Sequence, residues 1–336
     1  MRLTGNQLFS IVHNALSVEA DEKGHLHFRR FTEAAEKNYG IDGETFPSRC
    51  RASSNVTLDF LTDSEWFGFD YDLFAATSQL FSGFDVFVDG TMVMSQFRDG
   101  LKSQALTCTL PGGDLHRVTV FLPWSVETVI KTVSVADGAK VLPVPEKRPR
   151  ILAIGDSITQ GYIARHPAYT WVGKVTRALD AEVLNQGVGG YCFYENSLTE
   201  PIPYAPDLIL LAYGTNDYSG VETAAAYEAR LRGYMKRLAE LFPGVPVLQL
   251  LPIWRNDLSF HYKEKARDYT LEDARNIIRR VAAEYPNITV ADVNMPQDQD
   301  FFAPDWVHPN DLGFQIFGER VIEQIREMKL CGIARV

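Results

Sequence analysis

Ser157 stands near the middle of residues 150–162, RILAIGDSITQGY, where an apolar run stops abruptly on Gly155-Asp156-Ser157. A buried strand that ends this way delivers a hydroxyl to the edge of a sheet. A serine hydroxyl is a weak nucleophile at neutral pH; it needs an adjacent base, and the base needs a third group to hold its tautomer. Asp305 and His308, three residues apart in DWVHPND, supply that pair, with Pro309 stiffening the turn and Asn310 or Asp311 available to cap a final helix. Attack on a carbonyl also creates an oxyanion, which requires preorganised donors. Small-residue loops at Gly190, in NQGVGGY, and at Asn216, in YGTNDY, offer a backbone N–H and a side-chain amide. The chemistry that suits these residues is acyl transfer through an acyl-serine, with Ser157, His308 and Asp305 catalytic.

Groups so far apart in sequence must be gathered at one sheet edge, and the chain beyond residue 150 has the pattern for it. Short continuous apolar runs, RILAIG, AEVLNQG, DLILLAYG, VPVLQLLP and NITVADV, alternate with amphipathic stretches over residues 171–179, 223–241, 263–285 and 312–328. This alternation predicts a parallel five-stranded sheet covered by helices on both faces. Ligands of such sheets bind beyond the carboxyl ends of the strands, where the polar clusters fall. Asn216-Asp217 also reads as a turn and N-cap for the helix that follows.

Upstream the period changes from helical to alternating. NVTLDFLTD sets Val56, Leu58 and Phe60 on one face, WFGFDYDLF sets Phe67, Phe69, Tyr71 and Leu73, and HRVTVFLPW sets Val118, Val120 and Leu122. Turn signals at Asp89-Gly90, Asp99-Gly100, Gly112-Gly113 and Asp137-Gly138 separate such runs, as in an antiparallel β-sandwich. Residues 29–40 are the one helix-like piece. LPVPEKRPR packs three prolines and four charges between the two regions and reads as an extended linker. The expected division is a sandwich over residues 1–142, a linker over 143–149 and a catalytic domain over 150–336.

Composition narrows the function classes. At 336 residues the chain exceeds the roughly 100–200 residues of one domain. Its 33 Lys+Arg against 43 Asp+Glu give a net charge of −10 with no basic run, which disfavours nucleic acid and anionic membrane surfaces as partners. No stretch nears the ~18 apolar residues of a membrane helix. Asn6, Gln7, His13 and Asn14 interrupt any secretory core at the start, so a cytoplasmic location is expected. Cys50, Cys108, Cys192 and Cys331 are scattered without a metal-binding or disulfide pattern. His13 and His261 have no evident partners, His25 and His27 alternate as on a strand, and His116 sits at a turn. No metal and no cofactor is expected, and oligomeric state is not legible.

These blocks, in this order, resemble the SGNH (GDSL-type) hydrolases. The resemblance matches Gly155-Asp156-Ser157 to the first block and implies a flavodoxin-like domain in which Ser157 also lends its own N–H to the oxyanion hole. Aligning the second block on Asn185 puts the oxyanion glycine at Gly190, with Gly187 and Gly189 as other registers. Gly214-Thr215-Asn216-Asp217 matches the third block, and Asp305 to Pro309 the last. The G-x-S-x-G elbow of α/β-hydrolases does not fit, because Thr159 stands where its last glycine would be.

A jelly-roll-like sandwich ahead of such a domain is similar to carbohydrate esterase family 2 and to bimodular bacterial GDSL proteins that include an acyltransferase of polyketide tailoring. The resemblance implies a carboxylic ester hydrolase that removes short O-acyl groups, above all O-acetyl, from a small molecule or oligosaccharide. Asp156, Tyr191 and Trp306 are assigned to substrate binding, the two rings either stacking on a sugar or only walling the pocket. His166 or Arg165 could line the entrance. The alternatives are an acyltransferase, a lipid-type esterase, and a catalytically silent carbohydrate-binding protein.

Overall fold

Residues before position 144 alternate inward and outward and so build two facing antiparallel sheets. In the computed structural model, which describes residues 1–145, 149–256 and 267–329, one sheet runs in the order Val12–His13, Thr57–Thr62, His116–Phe121, Phe81–Val88, Thr91–Asp99, with Val141–Pro143 also paired to Thr57–Thr62. The other runs Ser17–Ala20, Leu26–Arg29, Val126–Val135, Trp66–Ala75, Gln104–Thr109. Leu58, Phe60, Phe67, Phe69, Phe84 and Val120 are buried between them. The helix expected over residues 29–40 is instead Glu33–Asp42. Leu26 and Phe28 alternate inward on a strand, and the helix starts only where the Thr32 side chain accepts from Ala35 N.

The second region is a parallel sheet ordered Glu182–Gly187, Arg150–Gly155, Leu208–Ala212, Val247–Leu250, Ile288–Ala291. This 2-1-3-4-5 order is the flavodoxin-like doubly wound arrangement. Trp171–Ala178 and Asp311–Glu327 cover one face, while Ala224–Leu241 and Leu271–Ala282 cover the other. The helix expected over 263–285 begins at Leu271, where Thr270 and Asp273 form a reciprocal capping box; residues 263–266 lie outside the described residues. So do residues 146–148 of the expected linker, His261 and Cys331. Cys50, Cys108 and Cys192 are free, buried thiols.

The two regions are joined through buried contacts. Phe31, Ala35, Tyr39 and Cys50 belong to the same apolar cluster as Leu152, Ile154 and Leu184 of the parallel sheet. Trp124 belongs to the cluster on the other face and donates to Ala164 O at 2.7 Å. Between them the polar groups are paired across the junction: Val183 N donates to Asn14 Oδ1 at 2.7 Å, Asn55 Nδ2 to Val183 O at 2.9 Å, and Ser54 Oγ to Gln160 O at 2.6 Å. His13, partnerless by sequence, faces Glu182 at 3.0 Å. Burying so many satisfied polar groups makes the junction directional, so the sandwich is held in one orientation.

Candidate active site

The strand Arg150–Gly155 stops because the chain must turn directly into the short helix Ser157–Gln160. A Cβ at Gly155 would lie 2.1 Å from Thr159 Oγ1 and 2.8 Å from Ala212 O, so no larger residue fits. Asp156 caps the helix, accepting from Ile158 N at 3.0 Å. Ser157 is thereby set at the carboxyl edge of the sheet, 9% exposed.

From the far end of the chain, Asp305 and His308 reach the same edge. Trp306 takes a left-handed backbone (φ 58°), a conformation uncommon for a bulky residue. It bends the DWVH stretch so that the imidazole folds back on the carboxylate. His308 Nδ1 lies 2.7 Å from Asp305 Oδ2, while Asp305 Oδ1 accepts from His308 N at 3.0 Å and Val307 N at 3.1 Å. On the other side of the ring, His308 Nε2 lies 2.7 Å from Ser157 Oγ. With the proton on Nδ1 held by Asp305, Nε2 is free to accept the serine proton. Burial alone would raise the Asp305 pKa, but hydrogen bonding from His308 and the two amides outweighs it and holds the carboxyl below its usual range.

Gly190 and Asn216 line the same cleft as Ser157. Gly190 has a left-handed backbone (φ 79°) and presents its N–H without an acceptor among the described residues. Asn216 spends one amide hydrogen on Tyr191 O at 3.0 Å and keeps the other. The Ser157 N–H heads its helix. Of the other glycine registers, Gly187 is required by packing, since a Cβ there would lie 2.3 Å from Gln160 N. The Gly189 N–H is occupied by Gln160 Oε1 at 2.7 Å.

These groups open on a cleft of about 280 Å³ lined by both regions of the chain: Arg49, Thr77 and Ser78 from the sandwich, and Gln160, Tyr162, Gly189 and Asn216 around the reactive pair. Arg49, Thr77 and Ser78 had no signal in the sequence, because they are separated from the catalytic blocks and belong to no motif. Tyr162, five residues after Ser157, was within reach of the motif but unremarkable by type.

The three substrate-binding assignments are corrected. Asp156 is buried and spends its carboxylate on the helix cap. Tyr191 is fully buried, its hydroxyl on Asp42 Oδ2 at 2.5 Å and its ring 4.2 Å from that of Tyr39, leaving no face for a sugar. Trp306 serves the turn and does not line the cleft. His166 pairs with Asp85 at 3.2 Å and Arg165 lies over Phe97, so neither lines it. Asp217 does not cap the helix Ala224–Leu241, which Thr223 caps; it accepts from Phe193 N at 3.1 Å and so ties the Gly190 loop to Asn216. Burial raises the pKa of Asp217 to about 6, against the opposing charge of Arg230. No group of three or more metal-ligating side chains occurs among the described residues.

Fold and site together define a bimodular α/β protein whose doubly wound domain carries a Ser-His-Asp constellation at its carboxyl edge. Residues 153–316 match the model of the GDSL-like Lipase/Acylhydrolase family. A multidomain esterase of Ruminococcus flavefaciens is 32% identical over 126 residues, 36% of this chain and 16% of that protein's length. Similar solved structures include a salicylyl-acyltransferase from a tetracycline biosynthetic pathway, 21% identical with a TM-score of 0.80, covering 96% of this chain and 95% of that one. A family two carbohydrate esterase from Clostridium thermocellum, solved with cellohexaose, is 14% identical with a TM-score of 0.64, covering 83% and 94%. At these identities both likenesses are of fold, and they extend over the sandwich as well as the catalytic domain.

Proposed function

We propose that the protein is a serine carboxylic ester hydrolase that removes short O-acyl groups, above all O-acetyl, from a carbohydrate. The observation that carries this reading is the unbroken chain Asp305–His308–Ser157, with 2.7 Å at each link, in a cleft also lined by Gly190 and Asn216. Ser157 Oγ attacks the ester carbonyl and passes its proton to His308 Nε2. Asp305 holds the imidazolium, and the Ser157 and Gly190 N–H groups with the Asn216 amide receive the oxyanion. Collapse of the tetrahedral adduct breaks the ester C–O bond as His308 returns the proton to the departing alkoxide. Water, deprotonated by the same imidazole, then releases the acid from the acyl-serine.

The wall of the cleft supports a short acyl group on a polar alcohol. Thr77, Ser78, Gln160 and Asn216 present hydrogen-bonding groups, with Tyr162 as the aromatic side chain among the lining residues; a long acyl chain would need an apolar trough. The similar carbohydrate esterase agrees with a sugar as the alcohol. Acyl transfer to an alcohol instead of water is the second reading, supported by the whole-chain likeness to the salicylyl-acyltransferase.

The test is hydrolysis of p-nitrophenyl acetate, butyrate and octanoate by the protein and by Ser157→Ala, followed by acetylated oligosaccharides. Acetate preference abolished in the variant supports the reading, and preference for octanoate overturns the short-chain assignment. A product mixture dominated by the acylated alcohol, when one is added, moves the reading to acyl transfer.

A further inference from the structure

Arg49 reaches the active site from the sandwich and touches the oxyanion loop. It lies on the short helix Phe46–Cys50, and its Nη1 donates to Gly189 O. That carbonyl belongs to the same peptide unit as the Gly190 N–H, the donor the proposed mechanism aims at the oxyanion. A charged donor on the oxygen of an amide draws electron density out of the peptide and makes its N–H a stronger donor, besides fixing the plane in which that N–H points.

The surroundings hold Arg49 to this position. Its guanidinium lies over the Phe46 ring, 5.5 Å from the centroid. No carboxylate pairs with it among the described residues, so its half-buried charge is not cancelled locally. Its own carbonyl is gripped by Arg30 Nη2 at 2.8 Å. Arg30, 1% exposed, also donates to Asn185 O at 2.6 Å and Gly187 O at 3.1 Å, the strand end that leads into the oxyanion loop. Gln160 completes the frame, accepting from Gly189 N at 2.7 Å. The Gly189-Gly190 segment is therefore held at its N–H by the catalytic domain and at its carbonyl by the sandwich.

We propose that Arg49 is a positioning residue of the oxyanion hole, through which the sandwich polarises and orients the Gly189-Gly190 peptide for catalysis. The proposal rests on the esterase reading above. It makes the sandwich part of the catalytic apparatus, with a contribution that appears in the transition state and not in substrate binding.

The experiment compares Arg49→Met and Arg49→Lys with the wild-type full-length protein, using p-nitrophenyl acetate, with Ser157→Ala as the blank. Arg49→Met is expected to lose about 10- to 100-fold in kcat with KM changed by no more than about twofold. Arg49→Lys keeps a charged donor and recovers part of that loss. The rate of phosphonylation of Ser157 by an uncharged phosphonate ester, whose adduct places an oxygen in the oxyanion hole, falls in parallel with kcat. A raised KM with kcat preserved overturns the proposal and assigns Arg49 to substrate contact, and unchanged kinetics in both variants overturn it outright. If Arg49→Met does not fold, a wild-type kcat in Arg49→Lys at one-half or lower phosphonylation rate still counts against it, because the two must move together. Inactivity of the wild-type protein on every ester would strike the esterase reading and this proposal together, whereas activity indifferent to Arg49 strikes the proposal alone.

Discussion

The ring of Tyr162 lies against the imidazole of His308, with centroids 4.6 Å apart at an interplanar angle of 50°, and its hydroxyl is held by Ser78 Oγ and Gln79 Nε2, each at 3.1 Å. Tyr162 belongs to the catalytic domain and both hydroxyl partners to the sandwich. One side of the His308 imidazole is thus packed by a ring whose position is set across the junction. Tyr162→Phe keeps the ring and drops two hydrogen bonds, so kcat/KM should fall about 2- to 10-fold. Tyr162→Ala frees the imidazole and should cost about 100-fold. Steady-state kinetics on p-nitrophenyl acetate separates the two, and equal losses would mean that the ring itself contributes nothing.

Asp305 should matter through the tautomer of His308. Asp305→Asn can still accept from the His308 and Val307 amides, so the turn and the melting temperature should survive. Its charge is gone, and kcat should drop about 10²- to 10⁴-fold. Near-wild-type turnover in Asp305→Asn would reduce the site to a Ser-His dyad.

Arg30 is the buried clamp between the two regions. It donates to four backbone carbonyls, those of Ala52, Arg49, Asn185 and Gly187, and burial lowers its pKa to about 10 without removing its charge at neutral pH. Arg30→Met removes a buried charged donor from all four, for a loss of about 3–5 kcal/mol in urea unfolding. Arg29→Met, which removes a partly exposed pair with Glu19 at 3.4 Å, should stay within about 1 kcal/mol.

Asp156 carries a pH signature. Burial raises its pKa from 3.8 to about 7 against the pull of the Ile158 N–H, and the charge of Asp217 adds to the rise. The folded state therefore favours the protonated form. The stability this group contributes is present below about pH 4 and is lost as pH rises towards 7. Asp156→Asn keeps an acceptor for the cap and does not titrate. Its melting temperature relative to wild type should climb between pH 4 and 7 and level off above, as calorimetry at pH 4.5, 6 and 8 would record; a constant difference contradicts the assignment.

The residues that meet in the cleft were legible because each block is local: Gly155-Asp156-Ser157 at a strand end, Asp305 and His308 three residues apart, Asn216 after Gly214. Their side chains obey short-range rules of capping, turn geometry and strand termination. The substrate-binding assignments failed for the opposite reason. Tyr191 is next to Gly190 in sequence, yet its ring packs against Tyr39, a residue of the sandwich side whose approach no pattern around position 191 announces. Trp306 was read for its ring, while what the turn uses is its backbone.

Alternating and helical periods, together with polar residues after apolar strands, determined a sandwich, a doubly wound sheet and the serine, histidine and aspartate that the fold brings within hydrogen-bond distance of one another. These follow from spacing, which is written along the chain. Tertiary packing alone decided that Arg30, Arg49, Thr77 and Ser78 of the sandwich meet the Gly190 loop and Tyr162. Such contacts depend on how two cores dock, and docking is set by the summed complementarity of buried surfaces and hydrogen bonds, which no local pattern encodes.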